Sequence, residues 1–85
     1  MSNKAGDNIT DAELVRMVQA GERGAFDLLV RRYQSKIIHL VSRYVSDPNL
    51  AMDVAQESFV KAYKGLETFR GDSAFYTWMY RIVSR

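Results

Sequence analysis

Apolar residues in the middle of this chain recur at three- and four-residue steps, a period that suits a helix. Phe26, Leu29, Val30, Tyr33, Ile37, Leu40, Val41 and Tyr44 make the longest series. They line one side of a helix from about Gly24 to Val45, a seam for packing against another long helix. At 1.5 Å per residue that helix would be roughly 30 Å long. A shorter series, Leu14, Val15 and Val18, follows Thr10-Asp11-Ala12-Glu13. That tetrapeptide has the form of a capping box, in which threonine and glutamate each satisfy an N–H at the helix start. Gly21 can close this first helix in the left-handed conformation.

Two more helices follow. Ser46-Asp47-Pro48 reads as a turn and a helix start, because proline at the first helical position loses no hydrogen bond and Asp47 caps. The helix should reach about Leu66 and bury Ala51, Ala55, Phe59, Ala62, Tyr63 and Leu66, with alanines allowing close approach to its neighbour. Gly71 breaks what precedes it, and Asp72 or Ser73 can cap a last helix. Phe75, Trp78, Met79 and Ile82 fall on one face of that helix. Tyr76, Thr77, Tyr80 and Arg81 fall on other faces, partly outward. The expected fold is all-α: a compact bundle of about four helices over residues 10–85, with residues 1–9 as a flexible tail.

Composition narrows the classes. Eighty-five residues make one domain at most. The chain has no cysteine, which rules out a disulfide framework and a thiolate metal site. Met1–Asn8 is polar, unlike a signal peptide, and no apolar run approaches the ~20 residues of a membrane span. The expected location is the cytoplasm, without membrane insertion. Net charge is only +2, but it is segregated. Arg31, Arg32, Lys36 and Arg43 occur with no acid among them, and Lys61 to Arg85 is again mostly basic. Acids gather at Asp7–Asp27 and Asp47–Glu57. One basic and one acidic surface fit this pattern, and so do ordinary solvated helix faces.

The chemistry concentrates in Phe69 to Ile82, where five aromatics accompany Arg70 and Arg81. Aromatics interleaved with arginines suit single-stranded nucleic acid: any base can stack on a ring, at roughly 1–3 kcal/mol per base, while a guanidinium neutralises phosphate. The Phe75, Trp78, Met79 and Ile82 stripe also reads as plain core. Tyr76 and Tyr80 lie off the stripe and fit a binding surface or an ordinary amphipathic one. On the preceding helix, Asp53, Gln56 and Glu57 share one exposed patch, which Lys61 extends by a turn. One Asp/Glu pair on a single helix supplies neither enough metal ligands nor an opposed acid and base, so no enzyme, catalytic residue or cofactor is expected. The patch fits a Glu57–Lys61 ion-pair face or a docking site for a basic partner helix. His39 has no second ligand type nearby and reads as a surface histidine.

Two strings together resemble one family. Asp53-Val54-Ala55-Gln56-Glu57-Ser58-Phe59-Val60-Lys61-Ala62-Tyr63 is similar to the polymerase-binding segment of bacterial sigma factors. Phe69-Arg70-Gly71-Asp72-Ser73-Ala74-Phe75-Tyr76-Thr77-Trp78-Met79-Tyr80-Arg81-Ile82 resembles the adjoining promoter-melting segment. The likeness is to the extracytoplasmic-function group, its envelope-stress sigma-E subgroup in particular, and runs from Asp11 to Ile82. It implies a sigma region 2 domain that binds core RNA polymerase and opens promoter DNA at the −10 element. It further implies that Asp53, Gln56, Glu57 and Lys61 meet the clamp helices of the largest polymerase subunit. By the same resemblance, the Phe69, Arg70, Gly71, Asp72 and Ser73 loop and the next helix capture a base of the non-template strand. Phe75, Tyr76, Trp78, Tyr80 and Arg81 are the helix's candidates for DNA contact.

Primary sigma factors carry two tryptophans where this chain has Trp78-Met79, as in the extracytoplasmic-function group, which implies weaker melting and a stricter promoter demand. The resemblance also implies an anti-sigma factor as a partner. The family's last helix continues beyond the position of Arg85, and its C-terminal −35-reading helix-turn-helix domain has no counterpart here, so a fragment or isolated domain is expected. The alternative function is a helical interaction module that binds an anti-sigma factor and has no DNA role.

Overall fold

The structure, a computed structural model, describes residues 8–84. Its described residues form four α-helices: α1 (Asp11–Gln19), α2 (Gly24–Val41), α3 (Pro48–Gly65) and α4 (Phe75–Ser84). A single 3-10 turn, Leu66–Thr68, extends α3. This is the expected all-α bundle. Most of the expected N-terminal tail, residues 1–7, lies outside the described residues. Ile9 packs against the core, and its carbonyl accepts from Arg32 Nη2.

Local chemistry sets the helix ends. Thr10 Oγ1 accepts from the Glu13 N–H at 3.1 Å, and Glu13 Oε1 accepts from the Thr10 N–H at 2.9 Å, so the capping box forms in full. At the other end of α1, Gly21 takes φ 104°. Its N–H reaches the Val18 carbonyl while that of Glu22 reaches Met17, the paired bonds of a Schellman motif. The α3 start also forms as expected: Asp47 is extended and its carboxylate accepts from the Asn49 N–H at 3.0 Å, ahead of Pro48.

The other ends differ from expectation. Helix α2 stops at Val41 rather than Val45. Ser42 Oγ donates to the Ile38 carbonyl, and the Arg43 and Tyr44 N–H groups bond three residues back, so the last turn tightens. Pro48 then holds Asp47 out of the helical region. Tyr44 consequently leaves the expected seam and is 70% exposed. Tyr63 is likewise exposed rather than buried in the α3 stripe, although its ring meets Phe26 edge-on at 5.1 Å. Helix α4 begins at Phe75, so Ala74 directly precedes it, rather than Asp72 or Ser73. The Ala74 carbonyl accepts the first helical bond, from Trp78, and the Ser73 hydroxyl donates to that same carbonyl.

The core runs between the helices. Leu14 and Val15 of α1, Leu29, Ile37 and Val41 of α2, Ala51, Ala55, Phe59 and Ala62 of α3, and Phe75 and Met79 of α4 are buried together. Helix α2 packs on both α1 and α3, while α4 lies mainly on α3 and touches α1 and α2. The three completely buried or nearly buried alanines of α3 give its close face to this packing. The molecule measures 36 × 33 × 19 Å, about two helix diameters thick. Such a slab presents most polar side chains on two broad faces and around its rim.

Candidate nucleic-acid interface

Three anchors hold the segment that leads into α4. From the end of α1, Gln19 Nε2 donates to the carbonyls of Leu66 and Phe69, both at 2.9 Å. Thr68 Oγ1 donates to the Gly65 carbonyl, and Leu66 is buried at the base of the turn. Phe69 then packs its ring against Trp78, with centroids 4.9 Å apart. Past these anchors the chain turns outward. Gly71 takes φ 79°, a left-handed conformation that side-chain-bearing residues rarely adopt, and Arg70, Gly71 and Asp72 are exposed. Between the loop and α1 lies a cleft of about 550 Å³, whose wall includes Arg16, Gln19, Phe69, Arg70, Gly71 and Phe75.

The α1 wall is itself fastened to α2. Asp11 takes a salt bridge from Arg32 at 2.8 Å and a hydrogen bond from the Tyr33 hydroxyl. Burial, and secondarily the Asp11 carboxylate, push the Tyr33 hydroxyl up to about 12 from its ordinary 10, so it remains a neutral donor at neutral pH. Neither Asp11–Arg32–Tyr33 nor Gln19 stands out in sequence as a support. Each pairing joins residues more than twenty positions apart, and helical periodicity carries no signal for that.

The structure divides the aromatic candidates between two flanks of α4. Trp78 faces the end of α3: a Cβ at Gly65 would lie 3.6 Å from its Cζ2 atom, and Phe69 and Phe75 complete its surroundings. Tyr76 faces α2 and stacks on Tyr33 at 5.4 Å with an interplanar angle of 26°. Lys36 Nζ lies 5.7–5.8 Å from both ring centres, close enough for a cation–π contact. Tyr80 and Arg81 are exposed, whereas Phe75 is buried. Phe75 is therefore a core residue supporting the surface, with its ring between Tyr33 and Trp78. Met79 is fully buried, so its position serves the core.

On α3, Asp53, Gln56, Glu57 and Lys61 are all exposed, as their spacing implies. Glu57 and Lys61 do not form a salt bridge, which leaves both charges directed to solvent. Beside Gln56 runs a shallow apolar groove of about 200 Å³ between α2 and α3, edged by the exposed Met52 and Val60. No group of three or more acidic or histidine side chains among the described residues could hold a metal ion, and no described helix is long and apolar enough to cross a membrane.

This arrangement matches known proteins in sequence and in shape. Residues 29–85 match Sigma-70 region 2, and the chain belongs to that family. Among curated relatives it is similar to the RNA polymerase sigma-H factor of Pseudomonas aeruginosa, 61% identical over 73 residues, which are 86% of this chain and 38% of that protein. It is also similar to the ECF RNA polymerase sigma-E factor of Escherichia coli K12, 58% identical over 77 residues, or 91% of this chain and 40% of that protein. The chain thus spans about two fifths of the length of these relatives. A solved structure, an engineered region 2 of sigmaE in complex with GTAAAA, superposes with a TM-score of 0.84 at 49% identity. The match covers 92% of this chain and 81% of that one.

Proposed function

We propose that residues 10–85 form a sigma region 2 domain with two surfaces. One docks on core RNA polymerase, and the other captures unpaired non-template DNA of the promoter −10 element to melt it. The observation that carries this reading is the Phe69–Ser73 loop, fixed at its base by Gln19 yet exposed at Arg70, Gly71 and Asp72. A loop held in this way is pre-organised, so little ordering entropy is lost when a strand settles on it. Unstacking a base costs a few kcal/mol, which contacts to the extruded base offset. Phe69 and Trp78 supply aromatic surface beside the loop, and Arg70 supplies positive charge. Tyr76, Tyr80 and Arg81 carry further strand contacts along α4. The complex of the similar sigmaE region 2 with GTAAAA supports the same ligand class here.

Docking falls to α3. Asp53, Gln56, Glu57 and Lys61 offer two carboxylates, an amide and an ammonium on one exposed face to the clamp helices of the largest subunit. The absence of a Glu57–Lys61 bridge leaves the Glu57 carboxylate available to a partner. Neither surface performs chemistry on a substrate, so the domain acts by binding, in the cytoplasm where polymerase works. An anti-sigma factor is a further partner, supported by family membership alone.

The direct test is anisotropy of labelled GTAAAA, as a single strand and as a duplex, over a range of salt. The single strand is expected to bind more tightly. Arg70→Gln should weaken it several-fold and flatten the slope of log K against log salt by about 0.7, the value for one phosphate contact on a single strand. Equal affinity for strand and duplex, unmoved by the substitution, would overturn strand capture.

A further inference from the structure

A second groove lies on the other flank of α4, where it meets α2. It measures about 430 Å³ and is lined by Ser35, Lys36, His39, Arg43, Tyr76 and Tyr80, with Leu40 at its floor. Lys36 and His39 are exposed at i and i+3 on α2, and the exposed Arg43, in the tightened turn just past its end, lines the same groove. No carboxylate lines the groove. Opposite these residues, Tyr80 is 41% exposed. Tyr76 is held differently, half-buried by its stack on Tyr33 under the Lys36 ammonium. The groove therefore pairs an acid-free basic wall with a half-exposed aromatic ring at its other wall.

We propose that this α2–α4 groove is a second strand-binding site, in which Lys36, His39 and Arg43 take the phosphodiester backbone of single-stranded DNA and Tyr80 stacks a base. It rests on the strand-capture reading above and extends it to residues on a different helix. A strand that leaves the Phe69–Ser73 loop across α4 would bring its next phosphates to this basic wall. The groove suits a single strand better than a duplex because the stacking ring needs an unpaired base. Phosphate neutralisation comes from Lys36 and Arg43, and the Ser35 hydroxyl can donate a neutral hydrogen bond to the same backbone.

The test compares a six-nucleotide strand, GTAAAA, with the same strand lengthened by six nucleotides on either side, and with the long duplex. The unaltered chain is expected to bind the long strand more tightly and with a steeper salt slope than the short one. Lys36→Gln/Arg43→Gln should remove that gain. On the long strand it should lower the slope by about 1.4, two phosphate contacts, and weaken binding on the order of 10-fold at 0.1 M salt. Binding of the short strand should change little. As an independent readout, the long strand should shift the His39 ring signals in NMR spectra of the unaltered chain, and the short strand should leave them in place. An unchanged slope for the double variant, an equal loss on duplex, or unshifted ring signals would overturn the groove while leaving loop capture standing. Failure of the unaltered chain to bind any strand would overturn both.

Discussion

At the scale of single residues, Gly71 and Tyr33 decide how the loop and its supporting wall behave. Gly71 sits at φ 79° with open space where a Cβ would point, so the difficulty with a larger residue is conformational rather than steric. Gly71→Ala is expected to destabilise the fold by about 1 kcal/mol and to weaken GTAAAA binding, because the loop must leave its left-handed turn. Urea denaturation and strand titration measure the two effects. Tyr33 sets a limit at alkaline pH. Its hydroxyl is favoured neutral in the fold, at about 12 against an ordinary 10. The stability it contributes is complete below pH 10 and is lost as pH rises through 12, where the unfolded chain releases the proton first. Between pH 9 and pH 11.5 the chain should therefore lose on the order of 1 kcal/mol more stability than Tyr33→Phe does. Parallel losses would show that the hydroxyl is not held as described.

At the scale of elements, the sequence was most legible where the chemistry is local. The capping box at Thr10, the Gly21 stop and the Asp47-Pro48 start each involve neighbours within a few positions, and each forms. The buried stripe of α3 was legible too, through its alanines. The end of α2 was not, because Tyr44 continues the apolar period while Ser42 and Pro48 end the helix from either side. The two flanks of α4 were not separable from sequence either. Residues 76 and 78 differ by one side of a helix, and which helix each side meets is a matter of tertiary placement. Gln19 is the least legible support of all. Its two bonds cross 47 and 50 positions to reach backbone carbonyls, which carry no side-chain signature. Gln19→Ala should lower stability by about 1 kcal/mol and speed amide exchange in residues 66–73 more than elsewhere. Uniform exchange across the chain would mean that α1 does not hold the loop.

At the scale of the whole molecule, a slab 19 Å thick has too little interior to hide functional groups, so its surfaces carry its function. The residues proposed to dock lie along α3, and the loop follows that helix after a single 3-10 turn. In the proposed reading a short path therefore separates the polymerase contact from the captured base, so that docking would position the loop against the promoter. This coupling of two surfaces is the central claim. It is tested most directly by measuring the affinity of the chain for purified core RNA polymerase beside that of Asp53→Lys/Glu57→Lys, with GTAAAA binding followed in parallel. Both substituted side chains are exposed, so the fold should tolerate the reversal. The account predicts that the chain binds polymerase, that the variant loses this binding by at least 10-fold, and that its strand binding is unimpaired. Equal affinity of the chain and the variant for polymerase, or no binding by either, would contradict it.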